Sequence, residues 1–463
     1  MARKEELIKY TSVIDEKKDV LNAASLYLWE NAETAFLEFK SAAYLCDVLR
    51  KEGFEVTENL TGIATAFSGR FGHGKPVIGV LGEFDALFGL QQVGGVAVKQ
   101  TIEGKSCGQG CGHNLLGMGS LAAALAIKHY LEKTGREGTV IYFGTPGEEC
   151  GSGKAFMARD GAFDELDMAL CWHPTYENSV ITLKALANCG VKYVFDGIQA
   201  HAGETPHLGR SALDAVELMN VGVQFLREHI PDDWRIHYAI VDAGGIAPNV
   251  VQGHAEVYYY IRATTNSELK DFYERVNAIA AGAALMTGTT EHHDLFSARS
   301  NVIQNPALQK TMQEVMEAIE PPKPTEEDLA FLRELIKTFP PANGADPERP
   351  IHDEVLPLRP ARISHGSSDT GDVSRICPIA QCATSTWAMG TPGHSWQAVA
   401  QGTTEWAMTS ARYAGKVMAG TAIQALEDPS ILEKAWAEYR EACPNGYETP
   451  LPKDAKPRSL TDF

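Results

Sequence analysis

The sequence predicts an α/β fold: a largely parallel sheet with helices, interrupted by a smaller inserted domain of ferredoxin-like order. Three observations carry this reading. Apolar strands alternate with helical periodicity over residues 1–185. The order strand-helix-strand-strand-helix-strand follows over 186–300. The first texture then resumes over 301–463.

The elements follow in order. Residues 17–52 place apolar side chains at helical spacing (Val20, Ala23, Ala24, Leu26, Tyr27), with a second such run over 41–49 and Gly53 as the stop. PVIGVLGEFDAL, 76–87, is apolar until it ends in charge, as a buried strand does. Residues 114–134 read as a long helix closed by Gly135. GTVIYFGTP, 138–146, is a β-branched and aromatic strand ending in a turn, and DMALCWHP, 167–174, is another short apolar strand. From 186 the pattern changes. GVKYVFDGI, 190–198, alternates apolar and polar side chains, as a half-solvated strand does. A helix over 211–229, strands over 235–241 and 254–263, a helix over 267–286 and a strand over 290–296 complete a βαββαβ unit. The strands 190–198 and 254–262 are expected at an edge suited to pairing with a second copy of the chain. Residues 320–365 carry many prolines and charges and are expected to be an irregular insertion. Residues 443–463 are expected to be a surface tail.

A chain of 463 residues with 44% hydrophobic content can bury a large core. Its formal net charge of −19 argues against duplex nucleic acid and against an anionic membrane surface as partners. The charged N-terminus lacks the apolar core of a secretory signal, and no apolar run is long enough to span a bilayer. A cytoplasmic protein is expected. The nine cysteines agree: they are odd in number, scattered, and mostly in apolar runs (Cys46, Cys171, Cys189, Cys382), as buried thiols are.

Four places can carry chemistry. Cys111 and His113 lie in the glycine-rich segment CGQGCGHNLLG that leads into the long helix. A thiolate and an imidazole two residues apart on such a loop can converge on metal. Glu148 and Glu149 directly follow a buried strand, where paired acids are costly unless exposed or coordinated. His173 closes the next strand, and His394 lies in MGTPGHSW. Each alone has an ordinary explanation. Together, three of the four sit at strand ends or a helix start, the edge where open α/β sheets bind ligands. One cysteine, three histidines and two acids make a binuclear metal set with one acid to spare.

The ordered motifs Glu83-Phe84-Asp85, Cys111-Gly-His113-Asn114, Pro146-Gly-Glu148-Glu149, Trp172-His173-Pro174, His201-Ala-Gly, Asn249-Val-Val and Gly393-His394-Ser395 resemble the binuclear metallo-amidohydrolases and peptidases. That family includes aminoacylases, glutamate carboxypeptidases and indole-acetyl-amino-acid hydrolases. The segments CGHNLLG, 207–220, 369–374 and 393–402 are similar to the branch that holds the B-type subunits of aminobenzoyl-glutamate hydrolase. The resemblance covers nearly the whole chain. It implies a metal-binding α/β domain with an inserted lid. It implies Cys111, His113, Glu149, His173 and His394 as metal ligands, with Cys111 bridging, and Glu148 as general base. It also implies His201 as the carbonyl-polarising histidine of the lid and Asn249 as a substrate contact. Arg210 and Arg262 are weaker candidates for a substrate carboxylate. Many members open with His-x-Asp; here Glu83-Phe84-Asp85 lacks that histidine, so Asp85 is read as supporting the ligands or as structural.

The implied cofactor is two divalent ions, manganese or zinc. The implied reaction is hydrolysis of an N-acyl amino acid or dipeptide-like amide, aminobenzoyl-glutamate-like, by metal-activated water. The branch implies a homo-oligomer, a dimer through the lid, and leaves room for a heteromeric partner. Three rivals remain. Cys111 could be the nucleophile of a cysteine hydrolase, which leaves Glu148, Glu149 and His173 unexplained. The chain could be a non-catalytic partner of an active enzyme, against which Glu148 speaks. The same site could remove an amino group from a small aromatic compound.

Overall fold

The computed structural model describes residues 2–340 and 344–459. Its larger sheet has seven strands in the order Glu55–Glu58, Phe67–His73, Gly138–Thr145, Val77–Glu83, Met168–Thr175, Ile379–Ser385, Ser179–Val180. The four from Gly138–Thr145 to Ile379–Ser385 are mutually parallel. The outer pairings are antiparallel. Val77–Glu83 and Gly138–Thr145 are buried at every position. A strand covered on both faces has no reason to alternate, which is why these segments read as unbroken apolar runs.

One face is covered by the helices Lys18–Glu30, His113–Thr134, Pro306–Ala318 and Glu405–Glu427, which share one apolar cluster. His113–Thr134 is buried from His113 to Ile127 without a break. Its alanines and glycines let neighbours approach closely: a Cβ at Gly119 would lie 2.7 Å from the Trp172 ring and 2.8 Å from the Ala411 carbonyl oxygen. The other face packs Gly153–Arg159 in a cluster continuous with the core of the inserted unit.

That unit is an antiparallel sheet in the order Arg235–Asp242, His254–Ala263, Ala187–Asp196, Thr290–Arg299. The helices Ala212–Leu226 and Asn266–Thr287 bury Val216, Met219, Val223, Phe272 and Val276 against it. Both helices start on a side-chain cap, Ser211 and Thr265, each accepting from the backbone three residues on.

Several expectations need correction. The strands containing 190–198 and 254–262 are the two central strands, and the edges are Arg235–Asp242 and Thr290–Arg299. Alternation reports one wet face, which central antiparallel strands share with edges. The helix expected over 17–52 is two helices, Lys18–Glu30 and Phe39–Lys51, and a further helix, Ala2–Thr11, precedes them. Among the described residues, the insertion over 320–365 holds the helix Glu326–Ile336, opened by a Thr325–Asp328 capping box. The C-terminal segment is no loose tail as far as residue 459. Leu451 is buried, Tyr447 donates to Asp372, and Arg159 donates to the carbonyls of Pro452 and Ala455. Arg458 pairs with Asp294 on the last lid strand. Residues 460–463 lie outside the described residues.

Candidate metal centre

The four parallel strands end at one edge, and each delivers a side chain to one cleft. Glu83 ends Val77–Glu83, and Glu148 and Glu149 follow Gly138–Thr145. His173 lies near the end of Met168–Thr175, and His394 is on the loop after Ile379–Ser385. Cys111 arrives from the loop that enters His113–Thr134 through Gly112, whose φ of +75° favours glycine and where a Cβ would meet Pro174 and Trp387. His394 itself stands at φ 52°, a left-handed conformation that costs a non-glycine residue energy and recurs at functional sites. The cleft has a volume of about 740 Å³.

His113 forms the floor. Its Nδ1 lies 2.9 Å from Asp85 Oδ1, and the other Asp85 oxygen accepts from the Glu149 N–H at 3.0 Å. Asp85 thus contacts two proposed ligands, His113 at its ring and Glu149 at its backbone. His113 Nε2 lies 3.1 Å from Glu83 Oε2 but lacks hydrogen-bond alignment, and it is buried without a partner. His173 directs Nδ1 to the Pro174 carbonyl at 2.9 Å, which leaves Nε2 as a lone-pair donor 3.5 Å from Cys111 Sγ. His394 Nε2 lies 3.4 Å from Glu149 Oε2, and Glu149 Oε1 is buried with no partner. The turn bearing Glu148 is held from below by Glu38, which accepts from the Gly147 N–H at 2.9 Å. Burial and the Asp85 carboxylate push Glu38 up to about 8.

The electrostatics show a site short of positive charge. Burial pushes Glu149 up to about 8, with His113 opposing and Glu148 and Asp85 reinforcing. Burial, and then Glu149, raise the Cys111 thiol. Burial lowers the imidazoles of His173 and His394. These four groups are driven to their neutral forms, whereas Cys111 and Asp85 outweigh burial and raise His113; a divalent cation is what would let the thiol and the acid ionise. The raised thiol also speaks against Cys111 as a free nucleophile.

The donor atoms fall into three groups, each within 4.8 Å: Cys111 with His113 and His173; Cys111 with Glu149 and His394; and His113 with Glu148 and Glu149. Cys111, His113 and Glu149 each belong to two of them. With two orphaned buried acceptors, His113 Nε2 and Glu149 Oε1, this set fits divalent cations.

The cleft brings in Arg262 as well. It does not bring in His201, Asn249 or Arg210. His201 and Asn249 are exposed neighbours on the lid, joined by the Ala202 N–H donating to the Asn249 carbonyl at 2.9 Å. Arg210 donates to the carbonyls of His207 and Gly209. Sequence reasoning missed Lys154, Asn188 and Arg299. Lys154 is fully buried beneath the site, an outlier in the otherwise apolar run KAFMA that could have flagged it. Asn188 lines the cleft with its Oδ1 unpartnered.

Residues 79–354 match the model of peptidase family M20/M25/M40. The chain belongs to this family. It is 41% identical over 474 aligned residues to the B-type subunit of p-aminobenzoyl-glutamate hydrolase from Escherichia coli (strain K12), covering 98% of this chain and 96% of that protein. An aminobenzoyl-glutamate utilization protein of Klebsiella pneumoniae shares the fold with a TM-score of 0.57 at 16% identity, covering 91% of this chain and 98% of that one. A Bacillus subtilis protein described as a dinuclear metal binding peptidase of family M20 does so with a TM-score of 0.54 at 15% identity, covering 92% and 99%. The M20 chain is therefore a hydrolase of amide or peptide bonds with a metal-binding site. No helix among the described residues is long and apolar enough to cross a membrane.

Stripping metal from this M20 protein is expected to lower its melting temperature, and manganese or zinc at about a hundredfold above Kd should return about 2.7 kcal/mol per site. Calorimetry with and without chelator checks this. His173→Ala and Glu149→Gln should show little of that return; an unchanged melting temperature in the wild-type protein contradicts the metal centre.

Proposed function

We propose that this M20 hydrolase cleaves the amide bond of an N-acyl amino acid or dipeptide-like substrate, aminobenzoyl-glutamate-like, with two divalent ions, manganese or zinc. The single observation that carries the reading is three overlapping donor groups in one cleft, in which Cys111, His113 and Glu149 each serve two, with Glu148 among them. Cys111, His113, Glu149, His173 and His394 hold the ions. When bound, these supply Lewis-acid polarisation of the carbonyl and a water of lowered pKa.

The chain's own residues do the rest. Glu148 takes the proton of the attacking water on its carboxylate and returns it to the leaving amine nitrogen. Arg262 receives the carboxylate of the amino-acid part. Its Nη1 donates to the His365 carbonyl at 2.8 Å, its Nε has no partner, and no carboxylate pairs with it among the described residues. Burial and the nearby Arg299 lower its pKa, so an anion arriving there relieves a strained cation. This local charge answers the long-range repulsion from a net −19.

His201 and Asn249 enter from a second copy of the chain in this reading, and Arg210 goes with them. His201 Nδ1 accepts from the N–H groups of Gly203 and Glu204 at 3.2 and 3.0 Å, which makes Nε2 the donating nitrogen suited to a developing oxyanion. The surface for such a dimer is the unpaired edge Arg235–Asp242 with the apolar row Leu218, Val221 and Phe225 beside it; Phe225 is 73% exposed.

Two experiments test this. Aminobenzoyl-glutamate and a panel of N-acyl amino acids are assayed with and without chelator and for Glu148→Gln; the variant should keep its metal and lose about 10²–10⁴-fold in kcat. Turnover that survives both treatments sinks the reading. Second, His201→Ala and Glu148→Gln, each inactive alone, are mixed so that their chains exchange. Recovered activity is expected; no recovery from a mixed dimer means that His201 serves its own chain or none.

A further inference from the structure

The last lid strand, Thr290–Arg299, delivers its terminal guanidinium into the larger domain. Arg299 is buried, and all its donors turn to one loop. Its Nε donates to Ser152 Oγ at 2.7 Å, its Nη2 to the Glu148 carbonyl oxygen at 2.5 Å, and its Nη1 lies 3.5 Å from Glu148 Oε1. Ser152 is one of the few non-glycine residues with positive φ, at 58°, and Gly147 stands at +68° in the same turn. Glycine takes that conformation freely, but Ser152 is strained in it, and such a loop holds its shape only if its surroundings determine it. A buried guanidinium, in turn, is tolerated only where its donors are met. These bonds, with a longer one from Nη2 to the Glu149 carbonyl oxygen at 3.5 Å, meet both demands.

We propose that Arg299 is a positioning residue for Glu148. It pins the turn through the Glu148 carbonyl and Ser152 and holds the carboxylate at a fixed orientation, with no contact to the reacting atoms. The proposal rests on Glu148 being the general base. The planar fork is essential to it, since a lysine ammonium cannot reach three acceptors in this arrangement.

The test uses the metal-loaded, full-length enzyme and its best substrate from the N-acyl amino acid panel. Arg299→Lys, Arg299→Ala and Glu148→Gln are compared for kcat, KM, bound metal and melting temperature. Arg299→Lys should keep its metal, lose about ten- to hundredfold in kcat, as small misplacements of a reacting group do, and leave KM nearly unchanged. Added guanidinium should restore part of the kcat of Arg299→Ala, where methylammonium should not. If Glu148→Gln remains active, the general-base reading itself fails. If Glu148→Gln is dead while Arg299→Lys keeps its kcat, the positioning role is overturned. A loss confined to KM overturns it too, making Arg299 a substrate contact. So does a loss that follows metal or fold in both variants without rescue, making it structural.

Discussion

Beneath the cleft lies a lysine that no water reaches. Lys154 is 0% exposed, with its ammonium 2.8 Å from Glu83 Oε1 and paired also with Asp369. Burial alone would discharge it, but Asp369 and Glu83 outweigh burial and raise its pKa. Such a group is costly to form and worse to break: removing one partner typically costs about 3–5 kcal/mol, because the other is left buried and unpaired. The network ties three segments distant in sequence. Glu83 ends a central strand beside His113, Lys154 opens the helix after the Glu148 turn, and Asp369, which also accepts the Lys154 N–H, leads into Thr370–Ser374. The cleft walls are held where they are because these charges have nowhere else to go.

Topology does the rest. Parallel strands all end on the same side, so four separate strand ends can each place a short acid or imidazole within one cleft. No single segment must supply more than two ligands. The inserted unit sits in the chain between two of these strands and feeds Arg262 and Arg299 into the cleft from its own sheet. Its other end, with His201 and Asn249, lies outside this cleft's lining residues, and the same sheet carries a bare edge. One lid thus presents two chemically different ends.

Much of this was legible in the sequence, for physical reasons. Val77–Glu83 and Gly138–Thr145 announce themselves because double-sided burial demands unbroken apolar runs. The βαββαβ order reads from its periodicities, and Cys111, His113, the Glu148-Glu149 pair, His173 and His394 read as candidates from their places at strand ends and in a glycine-rich loop; which acid would hold metal came from the family resemblance alone. Phe67–His73 did not: FSGRFGH is short of apolar side chains because it lies next to the sheet's edge. Edge and centre in the lid were exchanged because alternation cannot distinguish them. Lys154 and Arg299 escaped because a lone cation in sequence gives no sign of the carboxylates that will surround it. The packed segment 443–459 escaped because proline and lysine look the same whether a strap is bound or free.

The central claim is a pair of ions sharing Cys111. The direct measurement is a crystal structure of the metal-loaded protein, with anomalous data at the manganese and zinc edges. Two peaks in this cleft, both within bonding distance of Cys111 Sγ, are predicted, with His113, His173, Glu149 and His394 completing their coordination and Glu148 left free. A single peak, or peaks that leave Cys111 unligated, would contradict the account.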